Sequence, residues 1–256
     1  MAPGTLLTWS LVVPVKVLAT AKSRLAGLTE DDRAAIALAM AADTVEAALA
    51  CPSVATVLVV SDDSAVRAEL EPLGAAVLAD RPGAGLNAAL AYGAERAAAA
   101  HPGLGRAALT ADVPALTARE LDAALAAAAG QAQAFVADAA GTGTTLYAVR
   151  PGVPFGPRFG PMSRARHLLA GAAELALPDI GGLRQDVDTL ADLRNAARIG
   201  VGRRTAVLLA RTALEVTSAQ QGGPAGRAQH PASRAQPCQG EALTRCREDE
   251  PGPSAT

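Results

Sequence analysis

Short apolar runs bounded by turn residues alternate along this chain with longer, alanine-rich stretches of helical character. Leu11 to Val15 is β-branched and free of polar interruption, Thr56 to Ser61 repeats that character, and Ala75 to Leu78 is a third run of the same kind. Runs this short and this uniformly apolar read as strands buried on both faces. Between them, the stretch from Thr29 toward Cys51-Pro52 predicts a helix, with Thr29 as its N-cap and Glu30, Asp31 and Asp32 in its first turn. Asp62-Asp63-Ser64 turns the chain and caps a second helix over 65–73, which Gly74 ends. Strand, helix and strand in succession make right-handed parallel units. The fold class is therefore α/β, with a mostly parallel central sheet flanked by helices.

Composition sets what that sheet is packed with. Half the residues are hydrophobic but only 2% are aromatic, so the core must be built from Ala, Val and Leu, and the helices must lie close. The length suits one large domain, expected over 9–217. From Ser218 onward Gln, Gly, Pro, Ser and Arg dominate and apolar periodicity vanishes, so 218–256 reads as a disordered tail, with a short docking element as the competing reading. A net charge of −2 gives no overall pull toward nucleic acid or anionic membrane, so neither is expected as a partner. Cys51, Cys238 and Cys246 form an odd set without metal-ligand spacing, which argues for a reducing compartment. With no apolar stretch of membrane-spanning length and no signal-peptide pattern at the start, the expected location is the cytoplasm.

The chemistry gathers around Asp112. Ala107-Ala108-Leu109 has the look of a buried strand, and Pro114 prevents its continuation as a central one, so Asp112 falls at a strand's carboxyl end. That edge is where ligands bind in open α/β sheets, and a carboxylate there facing a polyphosphate is a natural Mg²⁺ ligand. The competing reading is an Asp that merely shapes a turn before proline.

Lys16 and Lys22 are the only lysines; the other 21 basic residues are arginine. Both fall in the loop after the first strand, together with Arg24. A compact ammonium is a point charge suited to phosphate oxygens, whereas guanidinium is a broad fork. A solvated loop with chance clustering is the alternative.

Further loops carry candidate contacts. Asp80 to Asn87 is glycine-bearing and opens into a helix over 88–100, so the backbone at Gly85, Leu86 and Asn87 could approach a ligand, although it matches no common phosphate-loop fingerprint. Gly141-Thr142-Gly143-Thr144-Thr145 can present hydroxyl and backbone donors to an anion. Ser163 precedes Arg164, Arg166 and His167 at an expected helix start, where it could cap and where free N–H groups favour an anion. His167 shows no base partner in the sequence and reads as structural. Asp186 and Asp188 are expected to face opposite sides of an extended segment, so that only one shares an ion with Asp112.

In order, Pro14-Val15-Lys16, Ala21-Lys22-Ser23-Arg24-Leu25, Gly85-Leu86-Asn87, Asp112-Val113-Pro114-Ala115-Leu116, Gly141 to Leu146, Phe159-Gly160-Pro161 with Ser163 and His167, and Asp186-Val187-Asp188-Thr189 with Asp192-Leu193 form a specific series. The series resembles the CofC/FbiD family, guanylyltransferases of coenzyme F(420) biosynthesis that act on phosphoenolpyruvate or 2-phospho-L-lactate. The resemblance covers nearly all of 9–205. It implies a Rossmann-like nucleotidyltransferase fold, GTP as donor, Mg²⁺ as cofactor, and possible handover of product to the next pathway enzyme. By the same resemblance Thr145, Gly160 and Ser163 hold the acid substrate, Asp112 and Asp188 hold metal, and Lys16, Lys22 and Arg24 stand where triphosphate contacts are expected. Two other readings stay open: a related transferase with another nucleotide or acceptor, and a non-catalytic nucleotide-binding subunit.

Overall fold

The computed structural model describes residues 7–18, Lys22, Leu25 and 28–211; Arg24, Ser23, Cys238, Cys246 and the whole of 218–256 lie outside the described residues. Seven strands form one sheet. They are β1 (Trp9–Pro14), β2 (Val54–Val60), β3 (Ala76–Leu78), β4 (Gly105–Leu109), β5 (Gln133–Ala137), β6 (Thr144–Val149) and β7 (Ala173–Glu174), in the spatial order β3-β2-β1-β4-β6-β5-β7. β1 pairs in parallel with β2 and β4, β2 with β3, and β5 with β7, whereas β6 runs antiparallel to both β4 and β5. The expectation of a mostly parallel sheet thus holds with a single reversed strand. That reversal is what brings the amino end of β6, at Thr144, beside the carboxyl end of β4: the Thr110 N–H donates to the Thr145 carbonyl at 3.0 Å.

Seven helices complete the labelled elements: α1 (Glu30–Leu49), α2 (Ser64–Leu70), α3 (Leu86–Ala100), α4 (Ala118–Ala128), α5 (Ser163–Leu169), α6 (Gly181–Arg184) and α7 (Leu190–Ile199), and a further helical stretch covers 203–211. Thr29 caps α1 as its sequence predicts, accepting from the Asp32 N–H at 3.1 Å, and Asp63 caps α2 through its carboxylate. α2 is shorter than expected because Pro72 tightens the chain into a 3-10 turn over Glu71–Leu73, which ends at the left-handed Gly74.

The core is divided by the sheet. On one face Leu11, Val13, Val57 and Val59 meet alanines of α1 and the leucines of α4; on the other, Val12, Ala108, Phe135 and Tyr147 meet α3 and Phe159. An alanine-rich core requires close approach, and Gly93 marks where α3 touches β1. A Cβ there would stand 2.5 Å from Val12 Cγ1, so any side chain would lever the helix off the strand. α3 is thereby held flat against β1, which fixes the loop leading into it.

Candidate active site

A cavity of about 690 Å³ opens over the carboxyl ends of β1 and β4 and the amino end of β6. Asp112, Asp186, Asp188, Lys16 and Lys22 line it on one side, and Gly160, Ser163, Thr142 and Thr144 on the other.

Asp112 lies three residues beyond the end of β4, and its backbone carbonyl accepts from the Val187 N–H at 3.0 Å. This bond draws the 186–188 segment against the β4 edge and puts Asp188 beside Asp112 despite the distance in sequence. The Lys22 ammonium lies between them, 2.5 Å from Asp112 Oδ2 and 3.1 Å from Asp188 Oδ1. Burial pulls the Lys22 ammonium down, yet Asp112 and then Asp188 outweigh it and hold the group above its ordinary range. Lys22 also sits at φ 54, in the left-handed region that L side chains rarely occupy. The sequence-predicted Lys22 is therefore in the site, bonded to carboxylates.

Asp186 corrects an expectation. It lines the same cavity as Asp188, where the two were expected to face opposite sides. Residues two apart on an extended segment project to the same side, and the backbone over 185–187 carries them both inward. Burial, followed by the charges of Asp112, Asp138 and Asp188, pushes the Asp186 carboxyl up to about 7, with Lys22 opposing.

Whether these residues suit a divalent cation turns on the Asp112 carboxylate. Asp112 Oδ1 is buried without a hydrogen-bond partner. Among the described residues no group of three or more His, Cys, Asp or Glu side chains could hold a metal by itself. Two carboxylates completed by ligand oxygens is the pattern by which Mg²⁺ is held on polyphosphates, so the donor set fits such an ion.

The opposite wall is built from two loops. Asp138 accepts from the Thr142 N–H at 2.9 Å and the Gly143 N–H at 2.8 Å, folding the threonine loop around itself. These backbone donors, expected to serve an anion, are therefore already engaged. Of the loop's hydroxyls Thr142 and Thr144 line the cavity, whereas Thr145 is fully buried with an unpartnered Oγ1. Gly160, at φ 114, makes a turn closed to any L side chain, and its carbonyl accepts from the Ser163 N–H at 3.1 Å. Ser163 does not cap α5: the N-cap is Met162, itself left-handed, and Ser163 is the first helical residue, buried and facing the cavity. The Arg164 N–H goes to the Thr142 carbonyl, and its guanidinium pairs with Glu174 at 2.9 Å, so it is drawn to β7 and not to an anion at the helix start.

Of Gly85, Leu86 and Asn87, only Leu86 lines the cavity. Gly85, at φ 92, is the N-cap of α3. The Asn87 amide is engaged at both ends by one residue: Oδ1 accepts from the Phe159 N–H at 2.8 Å, and Nδ2 donates to the Phe159 carbonyl at 3.0 Å. It clamps the α3 start to the loop that carries Gly160. The clamp has no local sequence signal, since it pairs two loops far apart in the chain, whereas Asp138 bonds within its own loop.

Residues 9–228 match the family model described as guanylyl transferase CofC like. The chain is 61% identical over 205 residues to a phosphoenolpyruvate guanylyltransferase of Thermomonospora curvata, covering 80% of this chain and 90% of that protein. It is 57% identical over 204 residues to a protein of the same name from Streptomyces coelicolor, covering 79% and 96%. Among solved structures, a putative nucleotide-diphospho-sugar transferase from Desulfovibrio desulfuricans G20 superposes with a TM-score of 0.60 at 17% identity, over 82% of this chain and 97% of that one. A nucleotidyl transferase from Methanothermobacter thermautotroptrophicus gives 0.53 at 20% identity, over 75% and 97%. These two likenesses concern the fold.

Proposed function

The chain belongs to the CofC-like guanylyl transferase family, a family of nucleotidyltransferases, and from that premise we propose that it transfers GMP from GTP to phosphoenolpyruvate with release of pyrophosphate. The observation that carries this reading is the meeting of Asp112, Asp188 and Lys22 in one cavity with Gly160 and Ser163, a cation-binding edge facing an anion-sized wall.

The reaction asks for positioning and charge more than for proton transfer. A phosphate monoester is already ionised near neutral pH, so its oxygen can attack the α-phosphorus of GTP without a general base. The P–O bond to the β-phosphate breaks and pyrophosphate leaves. Lys16 and Lys22 neutralise the departing charge, and Arg24, from the same loop, is assigned the same role. Ser163 and Gly160 hold the acid substrate, and Thr145, buried behind that wall, supports it through the loop it shares with Thr144. Leu86 borders the nucleotide, Gly85 caps the helix that carries it, and Asn87 acts through the loop it clamps. Asp112 and Asp188 would hold a divalent cation, which we take to be Mg²⁺. Such an ion, when bound, supplies Lewis-acid stabilisation of charge on the phosphate oxygens.

Phosphoenolpyruvate is preferred to 2-phospho-L-lactate as acceptor because the relatives cited above carry that name. The product would enter coenzyme F(420) biosynthesis, with handover to the next pathway enzyme. Among the described residues no helix is long and apolar enough to cross a membrane; the cytoplasmic assignment rests on the sequence reading alone. The domain is taken as 9–217, and the tail after it as dispensable for catalysis.

Pyrophosphate release tests the proposal directly. GTP with phosphoenolpyruvate should turn over faster than GTP with 2-phospho-L-lactate, and faster than ATP, CTP or UTP with either acid. Preference for another nucleotide or acceptor would reassign the substrates, and nucleotide binding without any turnover would make the chain a binding subunit.

A further inference from the structure

His167 is the one buried imidazole among the described residues, the transfer reaction does not use it, and its surroundings leave it a single proton arrangement. It is 0% exposed. Tyr147 stacks on it at 4.8 Å between centroids, Phe135 at 5.4 Å, and Phe159 meets it edge-on at 5.5 Å, so the ring cannot turn. Nε2 lies 3.0 Å from the backbone nitrogen of Arg158, and an amide N–H only donates, so Nε2 must offer a lone pair. The ring proton is then on Nδ1, which stands 3.0 Å from Thr144 Oγ1.

A protonated Nδ1 has no lone pair for the Thr144 hydroxyl, so Thr144 can only accept there. Its own proton is free, and among the described residues Thr144 Oγ1 has no other hydrogen-bond partner. Thr144 lines the cavity, on the wall shared with Gly160 and Ser163. We propose that His167 is a positioning residue that fixes Thr144 as a hydrogen-bond donor into the cavity, so that Thr144 joins the binding of the acid substrate's anionic groups. The same ring also tethers Arg158, two residues before Gly160, so one buried side chain sets both the polarity of the threonine and the seat of the glycine turn.

This inference rests on the reading of that wall as the acid-binding wall, and the experiment separates the two. Thr144→Val keeps the shape of the side chain and removes the hydroxyl; His167→Phe keeps the stack and removes both nitrogens. Each should raise the KM for phosphoenolpyruvate about tenfold or more, the range for a hydrogen bond to a charged group, while leaving the KM for GTP within twofold. The double variant should fall well short of the product of the two single losses, because the part of the effect of His167 that runs through the Thr144 hydroxyl is already gone in Thr144→Val. Losses that multiply, or that fall equally on GTP, would mean the histidine is only a core residue and would overturn the inference. A readout independent of folding in the variants is the ¹⁵N spectrum of the wild-type imidazole at neutral pH, which should show Nδ1 protonated and Nε2 bare; the opposite tautomer overturns the proposal. If wild type neither binds nor turns over phosphoenolpyruvate, it is the assignment of the wall that fails. If wild type uses it and both variants keep its KM, the inference alone fails.

Discussion

Lys22 Nζ stands 2.5 Å from Asp112 Oδ2, an ammonium held against the carboxylate assigned to the metal. A lysine that was expected to serve phosphate is thus tied to the acids of the cation edge, and the pair must part, or share its charges, when a polyphosphate and a cation enter. Lys22→Ala removes one positive charge from this edge. The expected outcome is a fall of tenfold or more in kcat/KM for GTP, by the magnitude of one charge-assisted hydrogen bond. Lys22→Arg should restore it only in part, because a planar fork cannot take the place of a point charge between two carboxylates. Initial rates at low GTP measure this, and wild-type kinetics in the alanine variant would return Lys22 to the role of a loop charge.

The carboxylates can be separated from one another by amide substitution. Asp112→Asn keeps shape and turn propensity while removing charge, so Mg²⁺-dependent turnover should drop by at least a hundredfold, with the Tm shifting by no more than a few degrees. Asp188→Asn should behave likewise. Asp186 faces the same cavity, so its amide variant is not expected to be silent. Asp186→Asn is expected to lower turnover less than Asp188→Asn, and Mg²⁺ titration of the three variants decides. A larger loss at Asp186 would move the second ligand to that residue and leave the two-carboxylate arrangement standing.

The clamp between Asn87 and Phe159 leads to a prediction contrary to sequence position. Asn87 belongs to the stretch read as nucleotide-binding, yet its amide holds the loop of Gly160. Asn87→Ala releases that loop and should raise the KM for phosphoenolpyruvate several-fold more than the KM for GTP, as should Ser163→Ala, which removes a direct donor. A defect confined to GTP in Asn87→Ala would show that the residue reads the nucleotide after all.

These cases show which parts of the molecule its sequence could disclose. Local chemistry was legible: Thr29 and Asp63 as caps and Gly74 as a left-handed stop each follow from a few adjacent residues. So was the approach of Asp112 to a strand end. Most of the illegible parts depend on partners far along the chain, Asp138, which folds its own loop, being the exception. The helical stretch over 203–211 is docked by Asp43, whose carboxylate accepts from the N–H groups of Arg204 and Thr205 at 3.0 and 2.8 Å, a contact between residues more than 150 positions apart. β7 is two residues long and exists only because β5 offers an edge. Asp138 looks like a strand-end acid similar to Asp112, but Gly143 approaches so closely that a Cβ would lie 2.3 Å from its Oδ2, and its role is to fold the loop.

The last prediction concerns pH and stability. Burial, assisted by the nearby charges of Arg158 and Arg166, lowers the His167 pKa from 6.5 to about 4, against an opposing hydrogen bond to Ser163. In the unfolded chain the ring would titrate near its ordinary value, so between pH 6.5 and 4 the unfolded state binds a proton that the folded state refuses. Stability from this group is therefore complete above about pH 6.5, declines as the pH falls through the window, and levels off below about 4. The span amounts to about 3 kcal/mol, at roughly 1.4 kcal/mol per pH unit. Protonation inside the fold would set an Nε2–H against the Arg158 N–H, two donors face to face, which is the local reason the ring stays neutral. His167→Phe should lower stability at pH 7 through the orphaned Arg158 N–H, yet flatten the slope of unfolding free energy between pH 6.5 and 4 by about that amount per unit. Urea unfolding of both proteins across that range measures it, and parallel slopes would mean that the ring takes up its proton in the folded state at an ordinary pKa.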